Sequence, residues 1–403
     1  MRYWDAFFAF LVATAVAALL TPLAARFAHR VGAVVMPSER GLAERPTPAL
    51  GGLAILAGIL VASLFWLPGT ISLRHTAGTA PGSGGTVHTW AIVAGACLIT
   101  LVGAIDDIRP LVPAVKLVGQ IAAAVVVVAA GHAVVTDVKI PFLHTLQLPN
   151  TGGTLTVIWL VGMMNVVNLS DGVDGLAAGL CTIDGIAFAI IAFDLHIGGA
   201  GVLAALTAGA ALGFLFHNFP PASSFMGDSG ANLLGYLLGV VAVVGSIKTG
   251  AVVALIVPLI VLAVPFLDTG FVVAKRLKYR RKPWSADANH FHHRMARMGF
   301  SQRRTVAFMY SWTLMLAGVA VALRFVPYSN HHGTYHLGWL LVMAAICVLA
   351  FAASIYLIYV LEILKFKNWR ARELRTADPS TSEHEIDERV QREVETGEFE
   401  RVG

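Results

Sequence analysis

Charged residues are scarce in this sequence. Aspartate, glutamate, lysine and arginine make up 13% of the 403 residues, whereas 57% are hydrophobic. A soluble protein of this size carries roughly twice that charged fraction, so the composition excludes an ordinary soluble fold. Apolar runs of about 17–25 residues, which is the length that crosses a bilayer, recur along the chain. The sequence therefore predicts an all-α, polytopic integral membrane protein.

Cysteine is almost absent. The three cysteines, Cys97, Cys181 and Cys347, lie in apolar runs without CxxC spacing, so neither a disulfide framework nor a zinc site is indicated. The histidines lack the HExxH pattern of zinc proteases. No serine or cysteine nucleophile has a neighbouring base, which argues against acyl transfer.

We predict about eleven membrane-spanning helices. Their approximate ranges are 4–28, 49–67, 89–107, 113–135, 154–169, 173–193, 200–218, 231–247, 250–274, 305–326 and 336–363. The first run has no cleavage pattern of a signal peptide and is expected to remain as a helix. Residues 1–364 are predicted to form one membrane domain. Residues 365–403 are densely charged and are expected to form a partly helical or disordered appendage.

The basic residues predict the orientation. Most lysines and arginines of the connections, including those between Lys275 and Lys282, fall on one side of the predicted bundle. Because basic loops remain in the cytoplasm, that side and the C-terminal tail are predicted to be cytoplasmic, with the N-terminus outside. The net charge of +5 follows from this bias and from attraction to anionic headgroups. It does not indicate a nucleic-acid partner.

The few polar side chains gather in four segments. These are "GAIDDIRPLVPAVKLVGQ" with Asp106, Asp107 and Lys116, "NVVNLSDGVDGLAAG" with Asn165, Asn168, Asp171 and Asp174, "HNFPPASSFMGDSGANLLG" with Asn218, Phe225 and Asp228, and "SADANHFHHRMARMGFSQRR" with His290, His292 and His293. With the orientation above, every one lies at the cytoplasmic end of a predicted span or in a cytoplasmic loop. This predicts a single site that faces the cytosol.

The second segment predicts a break in the backbone. Its polar residues recur at every third position, so on an unbroken helix they would spiral half-way round and expose some of them to lipid. A charge in mid-membrane costs on the order of 2.5–3.5 kcal/mol even on the mildest scale. Gly172 and Gly175 would allow the helix to end there, so that the polar side chains can meet around a cavity.

The residue types indicate a chemistry. Carboxylate and carboxamide oxygens suit Mg²⁺, or Mn²⁺, better than zinc, and histidine and lysine donors suit phosphate. Asp106 and Asp107 end their span, where the helix dipole disfavours carboxylates, which favours a functional role. A hard metal beside phosphate-binding cations at the membrane edge suggests phosphoryl transfer between a soluble anion and a lipid.

Taken in order, the four segments resemble the polyprenyl-phosphate N-acetylhexosamine-1-phosphate transferases, and the His-Phe-His-His form resembles the WecA and TagO branch more than the MraY branch. The resemblance implies a multi-span helical protein of the bacterial plasma membrane with a cytoplasmic active site. The implied reaction moves a sugar 1-phosphate from a UDP-sugar to undecaprenyl phosphate or a related polyprenyl phosphate. It releases UMP with Mg²⁺ present, and N-acetylglucosamine is the favoured sugar.

The resemblance also implies catalytic roles. The matching residues are Asp106, Asp107, Lys116, His290, His292 and His293. Asp106 would orient or deprotonate the lipid phosphate, Lys116 would steady a phosphate, and the histidine motif would hold the pyrophosphate.

The metal-binding positions of the family match Asn168 and Asp228. The implied substrate-binding residues are Asn165, Asp171, Asp174, Asn218 and Phe225. Among these, Asp174 would bind uridine by a hydrogen bond and Phe225 would stack on the base, whereas Asn165 and Asp171 would support the metal and the nucleotide.

One segment departs from the family. Relatives often have Arg-Lys-x-His before Pro-Thr-Pro, but here Arg40 is followed by Gly41, Leu42 and Ala43, which leaves the donor sugar or phosphate contacts from that loop open. The pentapeptide-carrying MraY reaction and a nucleotide-sugar transporter remain as alternatives. An intramembrane aspartyl protease would require GxGD, and Phe225 stands where its first glycine would be. The prenyl length, the downstream glycan and a homodimer are left open by the sequence.

Overall fold

The computed structural model describes residues 3–36, 45–72, 85–135, 137–139, 145–148, 151–246, 262–263, 301–326, 336–359, 371–372, 374–376 and 382–396. Its helices are α1 (Tyr3–Val31), α2 (Gly51–Trp66), α3 (Thr89–Ile108), α4 (Pro113–Val125, continued by a π-helical turn over Val126–Ala130), α5 (Gly152–Ser170), α6 (Leu176–Asp194), α7 (Gly198–Asn218), α8 (Gly227–Ser246), α9 (Gln302–Phe325), α10 (Leu337–Tyr359) and α11 (Glu383–Thr396).

Short antiparallel hairpins connect some of these helices. The strands are β1 (Val34–Val35) with β2 (Thr47–Pro48), β3 (Thr70–Ser72) with β4 (Thr86–His88), and β5 (Asp137–Lys139) with β6 (Thr145–Gln147). The registers place Val34 opposite Pro48, Thr70 opposite His88, and Asp137 opposite Gln147.

The prediction of a polytopic helical membrane protein is confirmed. Nine helices of the described chain are long and apolar enough to cross a membrane, and α2 is apolar but shorter. Ten of the eleven predicted spans coincide with α1–α10. The remaining one, 250–274, lies outside the described residues except for 262–263. The predicted orientation of the termini stays a prediction.

Two compact units divide the chain. The first comprises 1–266 and 309–326, which includes α1–α8, and the second comprises 267–308 and 327–403. In the second unit, the tail contains α11, whose Ile386 and Val390 are buried against Leu374. The described part of the tail is therefore helical, in agreement with the partly helical alternative.

In the first unit, α8 is the central helix. It packs against α2, α3, α5, α6 and α7, and most of its residues are buried. Hydrogen bonds tie successive turns to its neighbours: Tyr236 Oη donates to the Ile92 carbonyl at 3.2 Å, and Trp159 Nε1 donates to the Gly239 carbonyl at 3.2 Å. Between membrane helices, where burial from water supplies little, such bonds and close packing hold the helices together.

Small residues let α7 approach α1 closely. Gly209 and Gly213 lie one turn apart on α7, and a Cβ on them would be 2.3 Å from the Phe10 carbonyl oxygen and 2.2 Å from that of Thr14. This is the small-xxx-small arrangement that brings membrane helices into backbone contact. The contact sets the position of the α7 C-terminus, which leads directly into the site.

A second contact between these helices compensates a proline. Pro22 lies inside α1 and has no N–H to bond the carbonyl of Ala18, four residues before it. His217 of α7 fills this gap, with Nε2 at 2.9 Å from the Ala18 oxygen. Because a carbonyl only accepts, Nε2 carries the proton. The carbonyl of His217 in turn accepts the N–H of Ser223 at 2.8 Å, so this residue also shapes the loop that leads to α8.

Adding one methyl group to α7 tests this packing. Gly213→Ala is expected to lower the melting temperature in detergent, because its Cβ collides with the backbone of α1 and overpacking typically costs about 1–3 kcal/mol. The matched control is Gly162→Ala in α5, where a Cβ meets nothing within 4 Å. That control should melt at or above the wild-type temperature, since alanine favours the helix. Equal melting temperatures for the two variants would contradict the packing account.

Candidate active site

The N-terminus of α8 is held by a carboxylate from α3. Asp107 Oδ1 accepts the backbone N–H of Asp228 at 2.7 Å, and its Oδ2 accepts that of Ser229 at 3.1 Å. A carboxylate is unfavourable at the C-terminal end of its own helix but favourable at the N-terminus of another. Asp107 thus satisfies two of the N–H groups that the first turn of α8 leaves without helical partners.

Glycines allow α2 and α3 to reach this turn. A Cβ on Gly52 would lie 2.2 Å from the backbone nitrogen of Gly230, and one on Gly103 would lie 2.4 Å from Ser229 Cα. Gly227, which starts α8, has a φ of +70°, a conformation that glycine adopts at little cost. The first turn of α8 is therefore clamped between the backbones of two neighbouring helices.

Lys116 connects two of the site carboxylates. Its Nζ lies 2.6 Å from Asp106 Oδ2 and 2.8 Å from Asp228 Oδ2. Asp106 Oδ1 accepts the N–H of Leu111 at 2.7 Å, which fixes the turn between α3 and α4 and so places Lys116 beside α3. Carboxylate oxygens of Asp106, Asp107 and Asp228 lie within 4.8 Å of one another.

The predicted break between α5 and α6 is confirmed. α5 ends at Ser170 and α6 begins at Leu176, and Gly175 has a φ of +76°. Its N–H donates to Asn218 Oδ1 at 2.9 Å, and its carbonyl accepts the hydroxyl of Tyr310. The broken segment is thus braced by α7 and α9.

These elements enclose a pocket of about 360 Å³. It is lined by Val35, Met36, Ala49, Asp107, Asn168, Asp171, Gly172, Val173, Asp174, Asn218, Phe225, Gly227 and Asp228. Four of these residues are aspartates and none is a lysine or arginine. Two unit charges of the same sign 4 Å apart repel by about 4 kcal/mol at an effective dielectric constant of 20. The pocket is therefore suited to a multiply charged cation.

Among the four carboxylates that line the pocket, the charge of Asp171 is the least compensated. No hydrogen bond to it from a described residue balances its charge. Desolvation raises the pKa of the Asp171 carboxyl well above its usual range, and the neighbouring charges of Asp228 and Asp107 raise it further. A bound cation would offset this repulsion.

The donor atoms fit a hard divalent ion. Asn168 and Asp228, the predicted metal-binding residues, line the same pocket, and Asp171 lines it with them. Carboxylate and carboxamide oxygens are the ligands that Mg²⁺ and Mn²⁺ prefer. Among the described residues, neither a thiol nor an imidazole lines the pocket, and these are the ligands typical of zinc sites.

The structure also places the other predicted site residues. Asp174 lines the pocket, and its Oδ2 accepts the N–H of Ala222 at 2.9 Å. Phe225 lines it as well, on a loop fixed by its own N–H, which donates to the Pro48 carbonyl at 2.8 Å. Their predicted contacts with uridine stay predictions.

Two predicted substrate-binding residues have other partners. Asn218 is 2% exposed, and besides accepting from Gly175 its Nδ2 donates to the Ser224 carbonyl at 2.9 Å. Asn218 therefore braces the walls of the pocket. Asn165 is not among the lining residues; its Nδ2 donates to Gln120 Oε1 and to the Val161 carbonyl, each at 2.8 Å.

Several predictions fall outside the described residues. They concern His290, His292, His293 and the segment Arg40–Ala43. Their implied roles in gripping pyrophosphate and in donor recognition remain predictions.

Sequence analysis missed two buried polar residues. Asn232 lies one turn after Asp228 and donates to its carbonyl at 2.8 Å; the spacing of four on one helix could have identified it. Asp184 lies in the middle of α6, is 1% exposed, and neither of its oxygens has a hydrogen-bond partner among the described residues. It does not line the pocket, and nothing in the site explains it.

Two neutral substitutions should separate the roles of the pocket carboxylates. Asp107→Asn should lower the melting temperature measured in EDTA, because the new amide presents an N–H to a backbone N–H; a hydrogen bond to a charged group contributes about 1.5–3 kcal/mol. Asp171→Asn should raise it at neutral pH, because it removes an uncompensated charge whose pKa the fold raises.

The stabilisation by Asp171→Asn should depend on pH in a defined direction. A carboxyl with a raised pKa in the folded state destabilises the fold when ionised, and this penalty disappears as acid protonates it. The gain from Asp171→Asn should therefore shrink as the pH falls toward the ordinary aspartate range. A gain that is absent at neutral pH, or that grows in acid, would contradict the electrostatic assignment.

Comparison with known proteins agrees with this arrangement. Residues 89–246, which span the motifs from Asp106 to Asp228, match the family described as Glycosyl transferase family 4. A protein of Bacillus subtilis named "Probable undecaprenyl-phosphate N-acetylglucosaminyl 1-phosphate transferase" is 33% identical over 320 residues, which cover 78% of this chain and 84% of the relative.

Two further relatives are similar. A decaprenyl-phosphate N-acetylglucosaminephosphotransferase of Mycolicibacterium smegmatis is 37% identical over 325 residues, covering 74% of this chain and 78% of the relative. A phospho-N-acetylmuramoyl-pentapeptide-transferase of Lacticaseibacillus paracasei is 36% identical over 219 residues, covering 49% and 61%. With these similarities over most of its length, the chain belongs to the polyprenyl-phosphate N-acetylhexosamine-1-phosphate transferase family.

Proposed function

We propose that the protein transfers N-acetylglucosamine 1-phosphate from UDP-N-acetylglucosamine to a polyprenyl phosphate and releases UMP. The observation that carries this proposal is the convergence of α3, α5 and α8, whose ends bring four aspartates and an asparagine into one pocket next to Lys116. The names of the relatives that align over most of the chain support the sugar and the lipid. Two pentapeptide transferases align over 49% and 70% of the chain, less than the 78% and 74% covered by the two N-acetylglucosamine transferases, which favours N-acetylglucosamine.

We place the site at the cytoplasmic face of the plasma membrane. Arg30 and Arg109 occur at the ends of α1 and α3, and Arg109 lies two residues from Asp107. Basic residues flanking membrane helices favour the cytoplasmic side, where a soluble nucleotide sugar is available. The polyprenyl phosphate acceptor approaches from the bilayer and the nucleotide sugar from the cytosol, so a site at helix ends suits a reaction between the two.

Asn168 and Asp228 would hold Mg²⁺, with Asp171 as a further oxygen donor. When bound, the ion would offset the charge of the donor pyrophosphate and make its β-phosphorus easier to attack. The role of the chain is to hold these oxygens on two rigid helix ends, the end of α5 and the start of α8, with Asp107 fixing the one that carries Asp228.

In the transfer, an oxygen of the lipid phosphate attacks the β-phosphorus of the donor. A new P–O bond forms, the bond from that phosphorus to the bridging oxygen breaks, and UMP leaves with the bridging oxygen. Lys116 is 35% exposed and can turn toward the arriving phosphate. Each oxygen of Asp106 has one partner, Lys116 or the N–H of Leu111, and keeps a second lone pair that can take a proton from the lipid phosphate.

The other wall of the pocket suits the nucleotide. Phe225 offers a ring for stacking on uracil, and Asp174 offers a carboxylate to the donors of uridine. The N–H of Ala222 in the α7–α8 loop donates to Asp174, and the backbone N–H of Phe225 in the same loop donates to the carbonyl of Pro48 in β2. Removal of the Phe225 ring should therefore raise the KM for the donor more than it lowers turnover.

The arrangement favours a transferase over a nucleotide-sugar transporter. A transporter gathers its polar site near the membrane midplane, at helices broken there. Here the clustered carboxylates lie at the ends of α3 and α5 and at the start of α8.

Substituting Asp228 tests the proposal. Purified protein incubated with UDP-N-acetylglucosamine, undecaprenyl or decaprenyl phosphate and Mg²⁺ should yield UMP and a lipid-linked sugar, and EDTA should abolish both. Asp228→Asn should lower UMP release by about 100-fold or more, the size of effect seen when a charge-stabilising group of an active site is removed. Mass spectrometry of the lipid product distinguishes N-acetylglucosamine from other sugars.

A matched aspartate provides the control. Asp194 pairs with Arg324 at 2.6 Å and is 30% exposed, but it ends α6 about 27 Å along the axis from the start of that helix beside the pocket. Asp194→Asn should leave UMP release near the wild-type rate. Full activity of Asp228→Asn, or no UMP from the wild type with any UDP-sugar, would refute the proposed function.

A further inference from the structure

A chain of three side-chain amides, two of them buried, lies directly beneath the site. Asn165 Nδ2 donates to Gln120 Oε1, Gln120 Nε2 donates to Asn232 Oδ1, and Asn232 Nδ2 donates to the Asp228 carbonyl, each at 2.8 Å. Gln120 and Asn232 are each 5% exposed. The chain crosses from α5 through α4 to α8 and ends on the backbone of a residue that lines the pocket.

The direction of every bond in this chain follows from its last acceptor. The Asp228 carbonyl can only accept, so the amide nitrogen of Asn232 must face it and the Asn232 oxygen must face Gln120. The amide nitrogen of Gln120 then donates to the Asn232 oxygen, and the Gln120 oxygen accepts a hydrogen bond from Asn165. One carbonyl thus specifies the orientation of three side chains.

Each amide sits one helical turn from a residue of the site. The pairs are Gln120 with Lys116, Asn232 with Asp228, and Asn165 with Asn168. Residues three or four apart share a helix face. Because α4 and α8 begin near the pocket and α5 ends there, all three amides lie on the side of the site away from its helix ends.

The ion pair of Lys116 with Asp228 does not suffice to fix this arrangement. Lys116 is 35% exposed and its flexible side chain reaches carboxylates on two helices, so α4 could slide against α8 without breaking the pair. The short, directional amide bonds between buried residues allow no such movement. A misplacement of about 1 Å can cost on the order of 100-fold in rate.

We propose that Gln120 and Asn232 are positioning residues, which hold Lys116 and Asp228 in register across α4 and α8 for metal binding and transfer. The inference rests on the proposed function for its kinetic test but has a second readout that needs no substrate.

Two substitutions and one control test it. Asn232→Leu and Gln120→Leu remove links of the chain at similar volume. The control, Thr207→Val, removes a buried hydroxyl of α7 whose one hydrogen bond among the described residues is to the Leu203 carbonyl in its own helix, at 2.7 Å. All three should lower the melting temperature, so melting alone does not distinguish positioning from a structural role.

Turnover and metal affinity do distinguish them. The two leucine variants should lose about 10- to 100-fold in kcat and in Mn²⁺ affinity, the size of effect known for residues that orient metal ligands, with little change in the KM for the UDP-sugar. Thr207→Val should match the wild type in all three. Mn²⁺ affinity is measured by electron paramagnetic resonance without substrates. The variant that carries both substitutions should lose little more kcat and Mn²⁺ affinity than the worse single variant, because Gln120 and Asn232 belong to one network.

The outcomes separate this inference from the proposed function. If wild-type protein releases no UMP, the proposed function fails, and Mn²⁺ affinity alone decides the inference. If the leucine variants equal Thr207→Val in kcat and Mn²⁺ affinity, the inference is overturned. Should leucine prevent folding, the unbranched Gln120→Met has nearly the shape of glutamine and still removes the donor to Asn232, and wild-type behaviour of that variant in both readouts would overturn the inference equally.

Discussion

The site depends on one contact, the carboxylate of Asp107 on the first turn of α8. It satisfies two N–H groups in the first turn of a helix that is buried among five others and begins at the pocket. Gly52 and Gly103 make the contact possible, because any side chain there would displace the turn. Because Asp107 fixes the first turn of α8, it also fixes the positions of Asp228 and, one turn later, of Asn232.

The polar groups of the first unit form layers along α8. Asp228 meets Lys116 at the pocket, Asn232 meets Gln120 one turn deeper, and Tyr236 bonds to the backbone of α3 beyond that. In each layer, groups of the protein supply the hydrogen-bond partners that lipid cannot supply, because an unsatisfied polar group in a bilayer is costly. Electrostatic strain is concentrated in the outermost layer, where four aspartates share a pocket and where substrate and metal charges can relieve it.

The sequence predicted the helical membrane fold well, because apolar runs of bilayer length leave few alternatives. It also predicted the gathering of Asp107, Asn168, Asp171, Asp174 and Asp228, since polar residues cannot face lipid. It could not predict partners fixed by tertiary packing. Nothing in the sequence indicates that Asn218 braces Gly175 or that His217 satisfies the carbonyl freed by Pro22. Asp184, which is buried without a hydrogen-bond partner in the part of the chain that the structure describes, was missed because a lone aspartate in an apolar run carries no pattern.

The central claim is that helix ends far apart in the chain meet to hold a divalent ion at one pocket. Diffraction from crystals grown with Mn²⁺ and UDP, recorded at the manganese absorption edge, tests it most directly. The account predicts an anomalous peak between the side chains of Asn168 and Asp228, with the uracil ring against Phe225. A peak elsewhere on the protein, or a nucleotide bound outside this pocket, would contradict it.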